Sequence, residues 1–297
     1  MSNALEWLQF VLAPQMINGL SIGVAVVLMA LGLTIIFGLL DVINMAHGEF
    51  YAIGAYLAVA LLGLGLSFWW ALVLTPLLMA VLGYATERGL IQRVFHSKDR
   101  HTLTLLLTFG VAVVLEDALK IVFGANPLRL DAPISGATEM VGLFFPNYRL
   151  FVMVFGGVLI AAVWLLVFRT SVGAVVRAAA YDRHMSASLG VPVHRVYAAT
   201  FAFGVALAGI AGVLLAPIYS VFPTMGRDFV LIAFSVVIIG GMGSIKGAVL
   251  AGLLLTQVQS ISSLYISPVW SDPLLFGIMV LVLMWRPQGL FGKLGSA

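Results

Sequence analysis

The sequence predicts an all-α membrane protein, a polytopic transmembrane helical bundle of about eight to ten spans. Apolar residues make up 62% of the 297 residues and charged residues only 9%, against ~25% in an average soluble protein. A soluble globule of this length would need a charged surface that this composition cannot provide. Six uncharged stretches are each about as long as one membrane crossing or longer, a crossing needing ~20 residues. They run over residues 7–40, 50–86, 150–168, 196–226, 229–245 and 247–271.

About nine crossings, taken in order along the chain, account for these stretches. The last of them is short for a crossing, so broken or re-entrant helices are expected and would change the count by one. The whole chain, residues 1–297, is predicted to form a single transmembrane domain. The predicted spans are 16–38, 50–66, 68–86, 102–124, 150–168, 197–219, 229–245, 247–266 and 273–285.

Glycine is abundant, with 31 residues, and this suits a membrane bundle. Small residues let neighbouring membrane helices approach closely, so we assign seven glycines to helix packing. These are Gly19, Gly23, Gly54, Gly110, Gly204, Gly212 and Gly252.

Basic residues are concentrated in three segments, which the positive-inside rule assigns to the cytoplasm. The segments are 87–101, the loop 169–196 and the C-terminal residues 286–293. The first fifteen residues carry Glu6 and no basic residue, which favours an N-terminus on the outer side. The first apolar run is too long for a cleaved signal and is interpreted as a retained span. The loop 125–148, rich in proline and glycine, is predicted to lie outside.

A set of polar residues interrupts the apolar sequence at "LLDVINMAHGEFYAIGAY", residues 39–56. Polar side chains at membrane depth cost ~2.5–3.5 kcal/mol each, so they need a partner, a cavity or water. One interpretation is a cytoplasmic turn with Asp41 and Glu49 in water and with Asn44 and His47 capping helices. The other is a helix break, permitted by Gly48, that lines a translocation path with Asn44, His47 and Glu49.

A second interruption, "GGMGSIKG" at residues 240–247, is predicted to be another backbone break within the bilayer. Gly240, Gly241 and Gly243 would permit it. The segment is not a Walker A phosphate loop, because Lys246 is followed by Gly247 rather than Ser or Thr and no strand precedes it. No phosphate-binding loop is therefore predicted in this segment.

The two interruptions resemble one another loosely. Residues 43–62 and 238–257 each place a polar, glycine-containing break before a helix rich in small residues. Many transporters consist of paired repeats whose broken helices meet near the bilayer midplane. The weak alignment leaves internal duplication open.

Three further charged residues fall late in the fourth predicted span. Glu116 and Lys120 are four residues apart, a spacing that favours an ion pair. They either anchor the helix end at the membrane interface or guide the ammonium group of a solute. With Glu49 and Asp117, Glu116 also supports an alternative function, a stand-alone ion- or proton-coupled transporter or channel.

The sequence does not predict a metal site, a disulfide or a catalytic site. The chain has no cysteine, and its five histidines show no paired ligand spacing apart from His96 and His101 in a polar loop. No nucleophile and base fall in a recognisable catalytic pattern. We therefore predict neither a metal site nor a catalytic residue, and no cofactor in this chain.

The basic loop 169–196 contains a predicted helix over 174–189. Ser171 is the expected N-cap, Gly190 stands at the C-terminal stop position, and Pro192 prevents continuation. The small side chains of 178–180 would fit a cleft on another protein. The alternative is an amphipathic helix resting on lipid headgroups.

Three motifs, in order, carry a resemblance to a known family. "GLTIIFGLLDVINMAHGEFYAIGAY", "GGMGSIKGAVLAGLLL" and the closing "MWRPQGLFG" resemble permease subunits of branched-chain amino acid ABC importers. This family is related to the permeases for urea and short-chain amides. The resemblance implies a chain in the bacterial inner membrane, with a periplasmic N-terminus and a cytoplasmic C-terminus. It also implies four partners besides membrane lipids, and no nucleic acid: a second related permease, two ATP-binding cassette subunits that bind ATP-Mg, and a periplasmic solute-binding protein.

The resemblance also assigns the loop 169–196 to coupling with the ATPase. Its residues Arg177, Ala178, Asp182 and Gly190 match the segment that docks there in the family. Two positions depart from the usual pattern, since the family mostly has alanine in place of Ser186 and a more polar residue in place of Tyr181, so neither is assigned a contact role. The implied solute is leucine, isoleucine or valine, with urea, short amides and small carboxylates left open.

Overall fold

The computed structural model describes residues 7–95, 97, 99–140, 143–267 and 270–292, and most of them are helical. Within this part of the chain, nine long helices correspond in order to the nine predicted spans. A π-helical turn, Leu8–Leu12, precedes the first helix. The nine helices are α1 Ala13–Leu40, α2 His47–Gly63, α3 Phe68–Thr86, α4 Arg100–Phe123, α5 Asn147–Arg169, α8 Val193–Leu215, α9 Met225–Gly240, α10 Ile245–Ser262 and α11 Ser271–Trp285.

Four shorter helical pieces lie on one side of the bundle. Helix α3 runs on through a π-helical turn, Glu87–Ile91, into the turn Gln92–Val94. Between α5 and α8 lie two short helices, α6 Ser171–Tyr181 and α7 Arg183–Ser188. The predictions that involve Glu6, His96, Lys98 and Lys293 fall outside the described residues.

Length and apolarity confirm an all-α, multi-pass membrane bundle. Among the described residues, five helices are long and apolar enough to cross a membrane. The helices α2 and α9 are shorter, with 17 and 16 residues. At 1.5 Å per residue they measure ~25 Å, less than the ~30 Å thickness of a hydrocarbon core. The five spans are Phe10–Leu40, Phe68–Val94, Asn147–Arg169, Val193–Leu215 and Ile245–Ser262.

Helices α1 and α8 form the centre of the bundle and are buried over most of their length. They pack on each other, α1 also on α10 and α8 also on α2 and α3. Glycines make these contacts close: a Cβ added to Gly54 would lie 2.5 Å from the Cα of Gly209. Six of the seven glycines assigned to packing do make close contacts within this chain. The assignment is wrong for Gly110, because a Cβ there would meet nothing within 4 Å.

The helix contacts follow a paired pattern. Helix α8 packs on α3 and α2, and α1 packs in the same way on α10 and α9, while α2 and α9 contact each other. This pattern relates α1–α4 to α8–α11, with α2 matching α9. It does not favour the sequence alignment of 43–62 with 238–257, which would match α2 with α10. Internal duplication itself stays a prediction.

Contacts between loops show which loops lie at the same end of the bundle, and they agree with nine crossings of alternating direction. On one side Asp41 pairs with Arg100, and Leu290 bonds to Ile239. On the other side Leu128 forms a β-bridge with Val221. Which of the two sides faces the cytoplasm stays a prediction.

The loop 125–148 contains a short antiparallel hairpin that the sequence pattern did not predict. Strand β1, Ala137–Met140, pairs with β2, Leu143–Pro146, with Ala137 opposite Pro146. At its end, the hydroxyl of Tyr148 donates a hydrogen bond of 2.8 Å to the carbonyl oxygen of Leu214. The hairpin is thereby held against the end of α8.

Candidate translocation and coupling sites

The polar interruption after α1 is a true break in the helices. Asp41 ends α1 in the left-handed region, with φ 54°, and residues 41–46 are not helical. Helix α2 begins at His47, so the prediction that Gly48 supplies the break is wrong. Gly48 instead lets α2 pack against α9, because a Cβ added there would lie 2.7 Å from the Cβ of Val230.

The polar side chains of this break point into the protein. Asn44 and His47 are fully buried, and Glu49 is 2% exposed. The Asn44 Oδ1 accepts a hydrogen bond of 3.1 Å from the Ala46 N–H, and His47 Nε2 lies 3.0 Å from the Met29 carbonyl oxygen. The interpretation that Asp41 and Glu49 both lie in water on a cytoplasmic turn is therefore wrong for Glu49. It holds only for Asp41, which is exposed and pairs with Arg100.

Three atoms of this group lack a hydrogen-bond partner among the described residues. They are Asn44 Nδ2, His47 Nδ1 and Glu49 Oε2. Buried polar atoms are almost always hydrogen-bonded in folded proteins, so three neighbouring exceptions need an explanation. A ligand or water path through the bundle provides one, as the sequence predicted, and this role stays a prediction.

The non-helical segment 41–46 runs from the end of α1 into the interior of the bundle. The Met45 N–H donates a hydrogen bond of 3.1 Å to Thr108 Oγ1, and the same hydroxyl lies 3.2 Å from the Ile43 carbonyl oxygen. Thr108 lies eight residues beyond Arg100 on α4, which corresponds to ~12 Å along the helix. Helix α2 therefore begins inside the bundle, at a depth where only buried or cavity-lining backbone can be irregular.

Helix α9 also begins inside the bundle, directly beside the start of α2. A Cβ added to Gly226 would lie 2.5 to 2.8 Å from the carboxylate atoms of Glu49. Three residues further along α9, the ring of Phe229 lies 4.5 Å from the ring of Tyr51 on α2. Two short helices thus meet at their N-terminal ends within the membrane domain. Substrate and ion sites of many transporters are built in this way.

A compact charged cluster lies next to this meeting point. Glu116 is 2% exposed, and Arg227 donates hydrogen bonds of 2.5 and 2.8 Å to its two carboxylate oxygens. Lys120 Nζ lies 2.6 Å from Glu116 and 3.2 Å from Asp117. The predicted pair of Glu116 and Lys120 is confirmed. Sequence reasoning missed Arg227, whose only signal is the charge that separates two apolar stretches.

The second break, after α9, depends on glycine backbone geometry. Helix α9 ends at Gly240, and Gly241 and Gly243 have φ of 98° and 79°, values that favour glycine. Ser244 then caps α10, since its hydroxyl accepts a hydrogen bond from the Gly247 N–H. The interruption of the helices is confirmed, whereas its depth within the bilayer and a role of these glycines in translocation stay predictions.

The closing motif of the chain packs on this second break. The Leu290 N–H donates a hydrogen bond of 2.8 Å to the Ile239 carbonyl oxygen, and the Phe291 N–H one of 3.1 Å to Gly240. The backbone of Gly292 lies against Gly241, where a Cβ would come 2.8 Å from the Gly292 Cα. Two sequence motifs fifty residues apart therefore form one structural unit.

The loop 169–196 holds two helices rather than the single predicted helix over 174–189. Asp182 separates α6 from α7, with φ −148°, and its carboxylate accepts hydrogen bonds from the N–H groups of His184 and Met185. This capping competes with helix continuation, which is why the single helix is wrong. The first cap is also corrected: Thr170, not Ser171, accepts from the Gly173 N–H.

Gly190 ends the coupling segment in a left-handed conformation, with φ 86°, as its stop position predicts. The predicted coupling residue Ala178 is exposed. Exposed apolar side chains accompany it on α6, α7 and the residue after, among them Tyr181, 95% exposed. The surface is thus partly apolar and unoccupied within this chain.

Arg177 does not project outward from α6. Its guanidinium donates a hydrogen bond to the Val167 carbonyl oxygen and lies over the ring of Phe168, 5.6 Å from the centroid. Both partners belong to the last turns of α5. The side chain therefore ties α6 to a membrane-crossing helix.

Asp41 at the end of α1, residues 242–244 of the second break and the coupling segment border one wide cavity of about 1480 Å³, whereas Asn44, His47 and Glu49 do not line it. The buried Glu87, in the π-helical turn after α3, also lines it, a residue that sequence reasoning did not single out. The charged side chains on its wall are Asp41, Glu87, Arg100, Arg177, Arg183 and Lys246. Four of these six are cationic. Within the described residues, no group of three or more His, Asp or Glu side chains could hold a metal ion.

The sequence of this chain is similar to that of known membrane transport proteins. A family model described as branched-chain amino acid transport system / permease component matches residues 15–283. The chain is 31% identical over 294 residues to the permease protein LivH of Escherichia coli K12, covering 94% of this chain and 95% of LivH. It is 30% identical to the permease protein BraD of Pseudomonas aeruginosa, with the same shares covered.

A second kind of relative matches less closely. The permease protein LivM of Escherichia coli K12 is 28% identical over 291 residues, covering 89% of this chain and 67% of LivM. No solved structure was found to match. The family match runs through the first break, the loop 169–196 and the second break. The chain therefore belongs to the family of permease components of branched-chain amino acid transport systems.

Proposed function

We propose that the chain forms the translocation pathway of an ABC importer for branched-chain amino acids in the bacterial inner membrane. The observation that carries this proposal is the meeting of α2 and α9, whose N-terminal ends lie side by side within the bundle. Irregular backbone and polar side chains at that depth are costly unless they serve a path for solute or water. The names of the relatives LivH and BraD support the solute class.

The two breaks are proposed to line this pathway. Asn44, His47 and Glu49 offer buried polar atoms without partners, and Gly48 lets α9 approach them. Gly240, Gly241 and Gly243 shape the second break, which borders the cationic cavity. In this assignment a solute passes from the meeting point of α2 and α9 into that cavity.

Coupling to ATP hydrolysis is proposed to run through α6 and α7. An ATP-binding cassette subunit would contact the exposed face that includes Ala178, with Asp182 and Gly190 fixing the shape of the segment. Arg177 would pass the movement of α6 to α5, because it bonds to the end of that helix. Arg177 is therefore a positioning residue rather than a contact residue in this proposal.

The proposed assembly contains a second, related permease, two ATP-binding cassette subunits that bind ATP-Mg, and a periplasmic solute-binding protein. Support for a permease pair comes from the relatives, since LivH and LivM of one organism both match this chain. The chain itself is proposed to carry no cofactor and no catalytic residue. Its N-terminus is proposed to lie in the periplasm and its C-terminus in the cytoplasm.

Reconstitution tests the proposal. The full-length chain is co-purified with candidate ATPase subunits, a second permease and the binding protein, and leucine uptake into proteoliposomes is measured with ATP supplied on the cytoplasmic side. We expect uptake that requires ATP and all subunits. Uptake by the chain alone, driven by a pH gradient and indifferent to ATP, would contradict the proposal.

A further inference from the structure

We propose that the meeting point of α2 and α9 binds the charged groups of a zwitterionic amino acid, with Glu49 receiving the ammonium group and Arg227 and the first turn of α9 receiving the carboxylate. This inference deepens the proposed function and rests on it. It names the atoms that recognise the solute inside the membrane domain.

Glu49 is the first part of the site. Only 2% of this residue is exposed, and its Oε2 has no hydrogen-bond partner among the described residues. The neighbouring acid Glu116 takes both nearby cations, Arg227 and Lys120, as ion-pair partners. A buried carboxylate without an ion pair is strongly disfavoured unless a cation or a proton reaches it. An ammonium group supplies that cation and three hydrogen-bond donors.

A simpler role for Glu49 explains only part of this arrangement. As an acid in the first turn of α2, Glu49 stabilises the positive end of the helix dipole. A wetted acid would do the same without the cost of burial. The carboxylate also lies against Gly226 in the first turn of α9, where any larger side chain would displace it. Glu49 is therefore aimed at the point where the two helix ends meet.

Arg227 and the start of α9 form the second part. Arg227 follows Gly226 directly, and its side chain remains 63% exposed within this chain although it binds Glu116 with two hydrogen bonds. A guanidinium has five donors, so it can bind a second carboxylate while it keeps the first. The positive end of the α9 dipole favours the same anionic group.

Aromatic side chains provide the third part, a surface for an aliphatic side chain. The ring of Phe229 lies 4.5 Å from that of Tyr51. Phe229 follows Gly226 by three residues on α9, and Tyr51 follows Glu49 by two residues on α2. The site would therefore favour an apolar α-amino acid over urea or a simple amide, which lack both charges.

The first test measures transport. In the reconstituted complex, Glu49→Gln is expected to lower leucine uptake roughly 10- to 100-fold, the loss expected for one hydrogen bond between charged groups. Glu49→Asp is expected to retain part of the activity, and all variants should co-purify with their partners as the wild type does. If the wild-type complex imports leucine and Glu49→Gln imports it equally well, the site is refuted while the transport function stands.

The second test detects binding directly and does not depend on partners. The chain has no cysteine, so Tyr219→Cys introduces a single thiol beside Phe229 for labelling with N-ethylmaleimide in proteoliposomes. We expect leucine to slow the labelling, and urea, 4-methylpentanoate and leucinamide to have much weaker effects. Adding Glu49→Gln should abolish the protection. The control, Tyr265→Cys in the exposed turn after α10, should be labelled at the same rate in all cases.

Two results would overturn the inference. Protection by 4-methylpentanoate equal to that by leucine would refute recognition of the ammonium group by Glu49, and equal protection by leucinamide would refute recognition of the carboxylate by Arg227. Protection that is absent in the wild-type background, or that survives Glu49→Gln, would remove Glu49 from the site.

Discussion

Arg227 and Glu116 are 111 residues apart in sequence, and the guanidinium of one holds both carboxylate oxygens of the other at 2.5 and 2.8 Å. The acid is buried and the arginine is largely exposed. The bidentate pair fixes the first turn of α9 on α4. It therefore sets the position of Gly226 relative to Glu49, and so links the charged cluster to the meeting point of the two short helices.

Removing the arginine should destabilise the chain. Arg227→Ala leaves Glu116 buried with Lys120 alone, so we expect a loss of about 1–3 kcal/mol in the free energy of unfolding, less than for a fully buried pair because Arg227 is exposed. Arg227→Lys should recover only part of it, since an ammonium group cannot bind both oxygens in the same geometry. Thermal unfolding of the purified chain in detergent measures both.

The matched control is Arg129→Ala, which removes an exposed arginine from the loop 125–148. Its melting temperature should stay close to that of the wild type. Equal losses for the two alanine variants would show that the pair with Glu116 contributes nothing specific.

The nine helices were predictable because the bilayer imposes a length and forbids unpaired charge. The predicted span 68–86 coincides with α3, and the other eight correspond to helices in the right order. The positions of the two breaks along the chain were predictable, because Asp41, Asn44 and the run of glycines interrupt otherwise apolar sequence. The hairpin after α4 was not, because its two strands of four residues each are too short to show a pattern.

The errors concern interactions that a linear pattern does not contain. Gly48 was interpreted as a helix breaker, whereas its small size serves the approach of α9, a helix nearly 180 residues away. Asp182 was placed inside a helix, but its side chain caps the next helix and ends the previous one. The pairing of Arg227 with Glu116 depends on the tertiary fold alone. Each of these is decided by packing or capping rather than by hydrophobic periodicity.

Close packing at Gly54 should be sensitive to one methyl group. Gly54→Ala places a Cβ 2.5 Å from the Cα of Gly209, and backbone cannot yield as a flexible side chain can. We expect a loss of about 1–3 kcal/mol, the usual cost of overpacking. Gly110→Ala, inside α4 with nothing within 4 Å, should be neutral or slightly stabilising in the isolated chain. A similar decrease in melting temperature for both variants would contradict the packing assignment.

The break between α6 and α7 should depend on the capping oxygen of Asp182 rather than on its charge. Asp182→Ala removes both hydrogen bonds to the following N–H groups and should cost about 1 kcal/mol locally. Asp182→Asn and Asp182→Ser keep an accepting oxygen. We therefore expect these two to co-purify with the ATPase and to import leucine nearly as well as the wild type, and Asp182→Ala to do so poorly.

Asp131→Ala, in the loop 125–148, serves as the control for loss of an acid elsewhere. If Asp182→Asn fails as severely as Asp182→Ala, the carboxylate charge matters, and an ion pair with the ATPase replaces capping as the explanation.

The conformation of Gly243 should matter more than the space around it. Its φ is 79°, and a Cβ there would come no closer than 3.4 Å to Gly38, an ordinary contact. An L-residue in this region costs ~1–2 kcal/mol, and asparagine tolerates it better than alanine or valine. We therefore expect stability to fall in the order glycine, asparagine, alanine, valine, measured by thermal unfolding. Leucine uptake should follow the same order, because the second break borders the cavity that the solute is proposed to enter. Gly63→Ala, at the end of α2 with open space around it and no positive φ, should change neither quantity, and an equal effect there would refute the backbone explanation.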